Sequence, residues 1–186
     1  MGRIHKDIDQ TLASFLLSQP VFFVATAPLS GDGHVNCSPK GVRDTFAVLG
    51  PTQVAYLDLS GSGAETVAHV QENGRITVMF CAFAGAPRIV RLSGKARAAI
   101  PPSEHFTELV GHFPSIVGAR AVIDISLDRI SDSCGFGVPL MKYQGDRPTL
   151  GQWAQRKGPE GLANYRERHN AMSIDGLVSF GGPEAD

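Results

Sequence analysis

The chain has 186 residues and a formal net charge of −1, and 42% of its residues are hydrophobic and 19% are charged. This composition is typical of a globular domain that buries a core, and it excludes an intrinsically disordered chain. No basic cluster suggests nucleic acid as a partner, and no apolar run approaches the roughly 20 residues of a membrane span. The first residues carry no apolar signal segment, so we expect a cytoplasmic protein with no membrane partner.

Hydrophobic periodicity predicts a first helix over Asp7–Ser18, where apolar residues recur at helical spacing. Pro20 ends this helix. Runs of β-branched and aromatic residues, separated by glycine and proline, predict strands in the segments that follow. These strands are Val21–Ala27, His34–Ser38, Phe46–Gly50 and Gln53–Asp58.

A second helix is predicted over Gly63–Glu72, with Gly74 placed to adopt a positive φ at its end. The remaining pattern predicts three strands, a short helix that Ser103 caps, and two helices near the end of the chain. They are the strands Arg75–Phe83, Arg88–Ile100 and Ala121–Ile130 and the helices Ser103–His112, Leu150–Arg156 and Pro159–Asn170. Because strands and helices do not alternate regularly, this order favours a closed or half-closed antiparallel barrel over a doubly wound parallel sheet.

The segment Ser60–Thr66, between a predicted strand and a predicted helix, is the strongest candidate for an anion site. Ser62 is predicted to cap the helix, and Glu65 completes an S-x-x-E capping box. A helix N-terminus presents unpaired N–H groups, and glycines at 61 and 63 let a phosphate approach the backbone. The same pattern also forms simple capped turns, so the segment by itself leaves both interpretations open.

The cysteines and histidines indicate no disulfide framework and no metal site. Cys37, Cys81 and Cys134 are far apart and lack C-x-x-C spacing, and the six histidines lack any metal-binding motif. Cys37 and Cys81 lie in strand-like segments and are expected to be buried thiols. Cys134 lies in a glycine-rich loop and is a candidate for approaching a ligand.

Three segments occur in an order typical of one family: SPKG at 38–41, ENGRITVMF at 72–80 and RLSGKA at 91–96. Together they resemble the pyridoxamine 5'-phosphate oxidase-like, FMN-binding split-barrel family, over roughly Phe15 to Ile130. The resemblance implies a mainly β (α+β) fold, a six-stranded antiparallel split barrel with flanking helices. It implies residues 1–140 as the FMN-binding domain, and we expect 141–186 to be a C-terminal helical extension packed on it, with a frayed end at 181–186.

The resemblance also implies a homodimer with FMN bound between the subunits. A strand carrying polar and basic groups would lie along the flavin, and the phosphate would bind at the start of the next helix. On this chain the implied cofactor-binding residues are Asn36, Ser38 and Lys40 along the flavin, Ser60, Gly61, Ser62, Gly63 and Thr66 at the phosphate, and Arg88 as an additional cation.

Two departures from the family's pattern bear on function. Glu65 and Thr66 stand where the oxidases carry an Arg-Lys pair that holds the phosphate, which leaves a deazaflavin, F420, open as an alternative to FMN. The chain's end also lacks the basic tail of those oxidases, so we expect a small-molecule substrate other than pyridoxamine phosphate. Trp153 is a candidate for lining the partner's flavin edge, with ordinary packing as the alternative.

Three functions therefore remain open. The first is a flavin (FMN)-dependent oxidoreductase, or an F420-dependent reductase on the same fold. The second is a non-catalytic flavin-binding protein that acts as a sensor or store. The third is a binding module without a cofactor, in which the 60–66 segment is only a turn. No catalytic residue is assigned, because flavin chemistry does not require a side-chain acid or base.

Overall fold

The computed structural model describes residues 2–181. Of the frayed end expected at 181–186, only Gly181 therefore lies within the described residues. The strands are β1 (Ile4–His5), β2 (Phe22–Thr26), β3 (Asn36–Lys40), β4 (Phe46–Gly50), β5 (Gln53–Leu59), β6 (Arg75–Cys81), β7 (Ile89–Ala99) and β8 (Ala119–Ser133). The helices are α1 (Gln10–Ser18), α2 (Glu65–Asn73), α3 (Glu104–Val110) and α4 (Thr149–His169).

All strand pairs are antiparallel, and the sheet runs in the order β3-β2-β6-β7-β8-β5-β4, with β1 paired to β8. Its two edge strands, β3 and β4, do not pair with each other within residues 2–181. The predicted antiparallel split barrel is confirmed, although the sheet has eight strands rather than six. One of the additional strands, β1, is only two residues long and therefore carries no periodic signal.

Four aromatic rings on the inner face of the sheet hold its ends together. Phe46 of edge strand β4 lies with its ring centroid 5.3 Å from Phe22 of β2 and 4.9 Å from Phe80 of β6. Tyr56 of β5 packs edge-on against Phe22 at 5.6 Å. Because these strands are not neighbours in the sheet, the contacts show that the sheet curls around one core.

Local caps set one end of each of three helices, and two of these caps, Ser103 and Gly74, were predicted. Asp9 accepts a hydrogen bond from the amide of Leu12 at 2.7 Å, so α1 begins at Gln10, three residues later than predicted. Ser103 caps α3 as predicted, accepting from the amide of Phe106 at 3.3 Å. Gly74 ends α2 with a φ of 71°, also as predicted.

The capping box predicted for α2 is wrong. The helix begins at Glu65 with Ala64 as its N-cap, and no side chain caps it from the N-cap position. Ser62 lies outside the helix, because its carbonyl accepts a hydrogen bond from the Asn170 side chain 3.3 Å away. A contact from residue 170, which local pattern does not reveal, thus sets the start of this helix.

The C-terminal helices are confirmed as two halves of α4. Gly158, with a φ of 64°, breaks the helix immediately before Pro159. Within residues 2–181, no helix combines the length and apolar character that a bilayer crossing requires.

Gly94 permits a close approach of β7 to β8, where the register shifts between Ser93 and Gly94. A Cβ at Gly94 would lie 2.0 Å from the carbonyl oxygen of Ser126. We expect Gly94→Ala to lower the free energy of unfolding by about 2 kcal/mol, because two central strands must separate. Urea denaturation measures this, with Gly111→Ala as the control, since a Cβ there meets open space. Equal stability of the two variants would contradict the prediction.

Candidate functional site

A cavity of about 230 Å³ lies between edge strand β3 and strand β5, and the 61–66 segment forms one wall. We call it the first cavity. Predicted site residues on its wall are Asn36, Ser38, Lys40, Gly61, Gly63 and Thr66. The structure thus brings the predicted β3 residues and the predicted anion segment together at one place. The apolar part of the wall comes from Val42, Leu57, Leu59 and Leu150.

Lys40 is fixed by a buried carboxylate and is not a solvated lysine. Its Nζ lies 2.8 Å from Oδ1 of Asp58, whose side chain is 1% exposed. The other Asp58 oxygen accepts a hydrogen bond from Nε of Arg120 at 2.7 Å. Burial raises the pKa of Asp58, but the charges of Lys40 and Arg120 outweigh burial and leave the pKa below its ordinary value. Asp58 is therefore ionised and joins β3 to β5 and β8.

Arg120 organises the segment that precedes α2, and sequence reasoning missed it. Its guanidinium donates to the carbonyl of Gly63 at 2.7 Å, to that of Gly61 at 3.4 Å and to the side chain of Asn170 at 3.0 Å. The side chain is 5% exposed, and the guanidinium lies 4.7 Å from the ring centroid of Phe180. An arginine within the apolar run 119–123 at the start of β8 was the signal that could have identified it.

The backbone amides of the 61–63 segment are left available as donors. Arg120 and the Asn170 side chain bind the carbonyls of Gly61, Ser62 and Gly63. Among the described residues, no hydrogen bond from the amides of these three residues is present. Successive unpaired amides at the start of a helix form an anion-binding arrangement.

Asn36 links β3 to the start of α2. Its side-chain amide donates to the hydroxyl of Thr66 at 3.0 Å and to that of Thr26 at 3.1 Å. The Thr26 hydroxyl also contacts Nδ1 of His69 at 3.0 Å. Burial lowers the pKa of His69, so this imidazole is neutral near pH 7. This series of hydrogen bonds fixes the cavity wall on the side of α2.

Three predicted site residues do not line the first cavity. Ser60 is 1% exposed, and its hydroxyl accepts from the Arg166 guanidinium at 3.4 Å on the far side of the segment. Ser62 is exposed and lines a second cavity. Arg88 pairs with Asp132 at 3.0 Å and lies 4.8 Å over the ring of Phe15. Within one chain, Arg88 therefore belongs to a different part of the barrel.

The second cavity, of about 400 Å³, adjoins the first, since Asn36, Gly63 and Glu65 line both. At its edge, the Nδ1 atom and the amide of His34 lie 2.7 Å and 2.8 Å from the two carboxylate oxygens of Asp175. These hydrogen bonds hold the pKa of Asp175 below its ordinary value. Sequence reasoning did not identify this carboxylate.

The remaining candidates have clear positions. Trp153 packs edge-on against Tyr165, with ring centroids 4.9 Å apart. Cys134 is exposed, as is Cys37, which was expected to be buried. The prediction for Cys37 is therefore wrong, because its side chain points to the outer face of an edge strand. Cys81 is buried as predicted.

No group of three or more His, Cys, Asp or Glu side chains within residues 2–181 is arranged to hold a metal ion.

A family model described as pyridoxamine 5'-phosphate oxidase matches residues 8–134. The chain belongs to the pyridoxamine 5'-phosphate oxidase family. It is 41% identical over 193 residues to the pyridoxamine 5'-phosphate oxidase family protein ustO of Aspergillus flavus, covering 95% of this chain and 77% of that protein. The resemblance inferred from the three sequence segments is confirmed.

Crystal structures support the same fold assignment for this pyridoxamine 5'-phosphate oxidase family member. HupZ of Group A Streptococcus is 20% identical and superimposes with a TM-score of 0.50, over 66% of this chain and 91% of that chain. A histidine-to-alanine variant of HupZ is 19% identical with a TM-score of 0.52, over 68% of this chain and 99% of that chain. At these identities the likeness concerns the fold alone.

In this pyridoxamine 5'-phosphate oxidase family member, the hydrogen-bond donors of the site fit a phosphate-bearing flavin, but the side-chain charges do not. The unpaired amides of 61–63 and the polar side chains of β3 are the donor set that a phosphate, a ribityl chain and a ring require. The charges on the side chains do not favour an anion. Lys40 and Arg120 both pair with Asp58, and Glu65 adds a second carboxylate to the cavity wall. A phosphate here would depend mainly on backbone N–H groups.

Proposed function

We propose that the chain is a flavin-dependent oxidoreductase that binds FMN in the first cavity. The observation that carries this proposal is one cavity, in a pyridoxamine 5'-phosphate oxidase family fold, whose wall combines polar side chains of β3 with Gly61 and Gly63, two residues with unpaired backbone amides. Bound flavin supplies hydride or single-electron transfer, which the twenty amino acids do not. The expected substrate is a small molecule.

Different cavity residues are proposed to hold different parts of the cofactor. The amides of Gly61, Ser62 and Gly63 are proposed to receive the phosphate, with Arg120 and Asn170 holding the carbonyls of these residues. Ser38 and Lys40 are proposed to contact the ribityl chain and the ring. The apolar side chains of the wall exclude water, which strengthens each of these polar contacts.

A second subunit is part of the proposal. The first cavity, at about 230 Å³, is smaller than the roughly 300–1,000 Å³ typical of small-molecule sites, as expected if a second chain completes it. Large apolar side chains are exposed in two stretches, 136–141 and 172–178, for example Phe136 at 81%, Leu140 at 80% and Ile174 at 71%. Exposed apolar residues in such groups mark interaction surfaces. We therefore propose a homodimer with the flavin at the interface.

The substrate is proposed to be something other than pyridoxamine phosphate. Residues 171–181, which follow α4 and border the second cavity, contain no arginine or lysine to hold a phosphorylated substrate. F420 is the alternative cofactor, because Glu65 and Thr66 replace the paired cations of the oxidases.

Filling the cavity tests the cofactor site directly. We expect Ser38→Phe to weaken FMN binding by at least about tenfold, because the ring would occupy the space between β3 and β5. Flavin fluorescence quenching measures the affinity, and light scattering measures the mass with and without FMN. Ser14→Phe is the matched control, since Ser14 is exposed on α1 and lines neither cavity.

Wild-type protein that binds neither FMN nor F420, or a Ser38→Phe variant that binds FMN as tightly as Ser14→Phe, would contradict the proposal. A monomer that holds FMN with wild-type affinity would refute the shared site. Absorption and mass analysis of the chromophore that copurifies with the protein would distinguish FMN from F420.

A second candidate is a non-catalytic flavin-binding protein. Its support is the state of the titratable cavity residues, since Lys40 and Arg120 are both engaged by Asp58. Both cations are therefore paired within the protein rather than directed at a substrate. Reduction of bound FMN by NADH or NADPH, followed by reoxidation by an added acceptor over repeated turnovers, would exclude this candidate.

A further inference from the structure

Glu65 places a carboxylate at the position where an anionic ligand of α2 would bind. Its Oε2 accepts a hydrogen bond from the amide of Ala64 at 3.0 Å, at the entrance to the helix. A Cβ on Gly63 would lie 2.9 Å from the same oxygen, so the carboxylate sits directly over that glycine. The helix N-terminus therefore already holds an anion supplied by its own first residue.

The position of Glu65 affects both cavities, because the residue lines both. The cations of the first cavity do not neutralise its charge, since Lys40 and Arg120 are directed at Asp58. A phosphate bound to the amides of the 61–63 segment would therefore approach the Glu65 carboxylate. Two anions a few ångströms apart near a protein surface repel each other, and salt screens this repulsion only in part.

We propose that Glu65 is the specificity-determining residue of the flavin site and selects against a terminal phosphate. The inference rests on the proposed function, because it concerns the same cavity. A phosphate-bearing flavin binds only when the Glu65 side chain leaves the amide of Ala64. A flavin without a phosphate meets no such competition. In the wild-type chain, the affinity for FMN therefore exceeds that for riboflavin by much less than the contacts between the phosphate and the amides would produce without Glu65.

The test compares two ligands that differ only in the phosphate. FMN and riboflavin are titrated into the full chain, into Glu65→Gln and into Glu104→Gln, with flavin fluorescence as the readout. We expect Glu65→Gln to tighten FMN binding about tenfold and to change riboflavin binding less than about twofold. Glutamine keeps a carbonyl oxygen that can accept from Ala64, so only the charge is removed.

Glu104→Gln is the matched control, because Glu104 is also the first residue of a helix and lines neither cavity. We expect it to change neither affinity. If Glu65→Gln tightens both flavins equally, weakens FMN or leaves it unchanged, the proposed role of Glu65 is wrong.

A second arm does not depend on flavin. Inorganic phosphate is titrated into the wild type and Glu65→Gln, and the amide resonances of Gly61, Ser62 and Gly63 are followed by NMR. We expect these resonances to shift at a roughly tenfold lower phosphate concentration in the variant. Equal midpoints, or no shift in either protein, would overturn the inference. A chain that binds phosphate in this way but no flavin would instead refute the proposed function alone.

Discussion

Replacing Arg120 with methionine is expected to lower the free energy of unfolding by about 3 kcal/mol and to remove most of the affinity for FMN. Methionine cannot bond the buried Asp58 carboxylate, which retains only Lys40, and the carbonyl of Gly63 loses its donor, while that of Gly61 keeps only Asn170. The released segment no longer presents its amides in one direction. Urea denaturation measures the first effect, and FMN titration at low temperature measures the second.

Two controls separate charge from geometry. Arg129→Met removes an exposed arginine of the same strand, and we expect it to change stability by less than about 0.5 kcal/mol. Arg120→Lys keeps the charge but lacks the planar fork that reaches the carbonyls as well as Asp58. It should recover part of the stability and little of the FMN affinity. Arg120→Met with wild-type stability would show that Arg120 does not hold this network together.

Asp58→Asn is expected to destabilise the protein by about 3 kcal/mol near neutral pH, because Lys40 and the buried Arg120 lose their shared counter-charge. The effect depends on pH in a defined direction. The folded chain holds the pKa of Asp58 below its ordinary value. The stabilisation by this carboxylate is therefore complete above an unfolded-state pKa of about 4 and is lost as the pH falls through the folded-state pKa.

The difference in unfolding free energy between the wild type and Asp58→Asn should consequently shrink as the pH is lowered below about 4. Urea midpoints measured from neutral to acidic pH provide this comparison. Asp128→Asn, an exposed carboxylate of β8, is the matched control and should give no comparable change. A difference that stays constant across the acidic range would mean that folding does not lower the pKa of Asp58.

Local rules predicted the elements whose ends are set by near neighbours in sequence. Ser103 and Gly74 act within a few residues of the positions that they stabilise, and both are predicted caps. Asp9 is a cap of the same kind that was not predicted, and the predicted start of α1 is three residues early. Ser62 has the same local pattern, and the prediction for it was wrong. Its carbonyl is held by Asn170, 108 residues away, and local spacing contains no information about such a contact.

The same distinction applies to the site. Asn36, Ser38 and Lys40 could be placed along the cavity because the family resemblance identified their strand. The partner of Lys40 could not be predicted, because Asp58 lies on a strand that does not pair with β3. Arg120 was overlooked because its role depends on β8 lying beside β5, and strand order is a property of the whole sheet.

The segment that follows α4 closes over the entrance of α2, through the side chain of Asn170, the hydroxyl of Ser179 on the carbonyl of Ala64 and the ring of Phe180 on Arg120. These residues leave the ribosome after every strand of the barrel has been translated. A nascent chain can therefore assemble its sheet before the 61–63 segment takes its final shape. On the proposed function, cofactor binding would then follow the folding of this C-terminal segment.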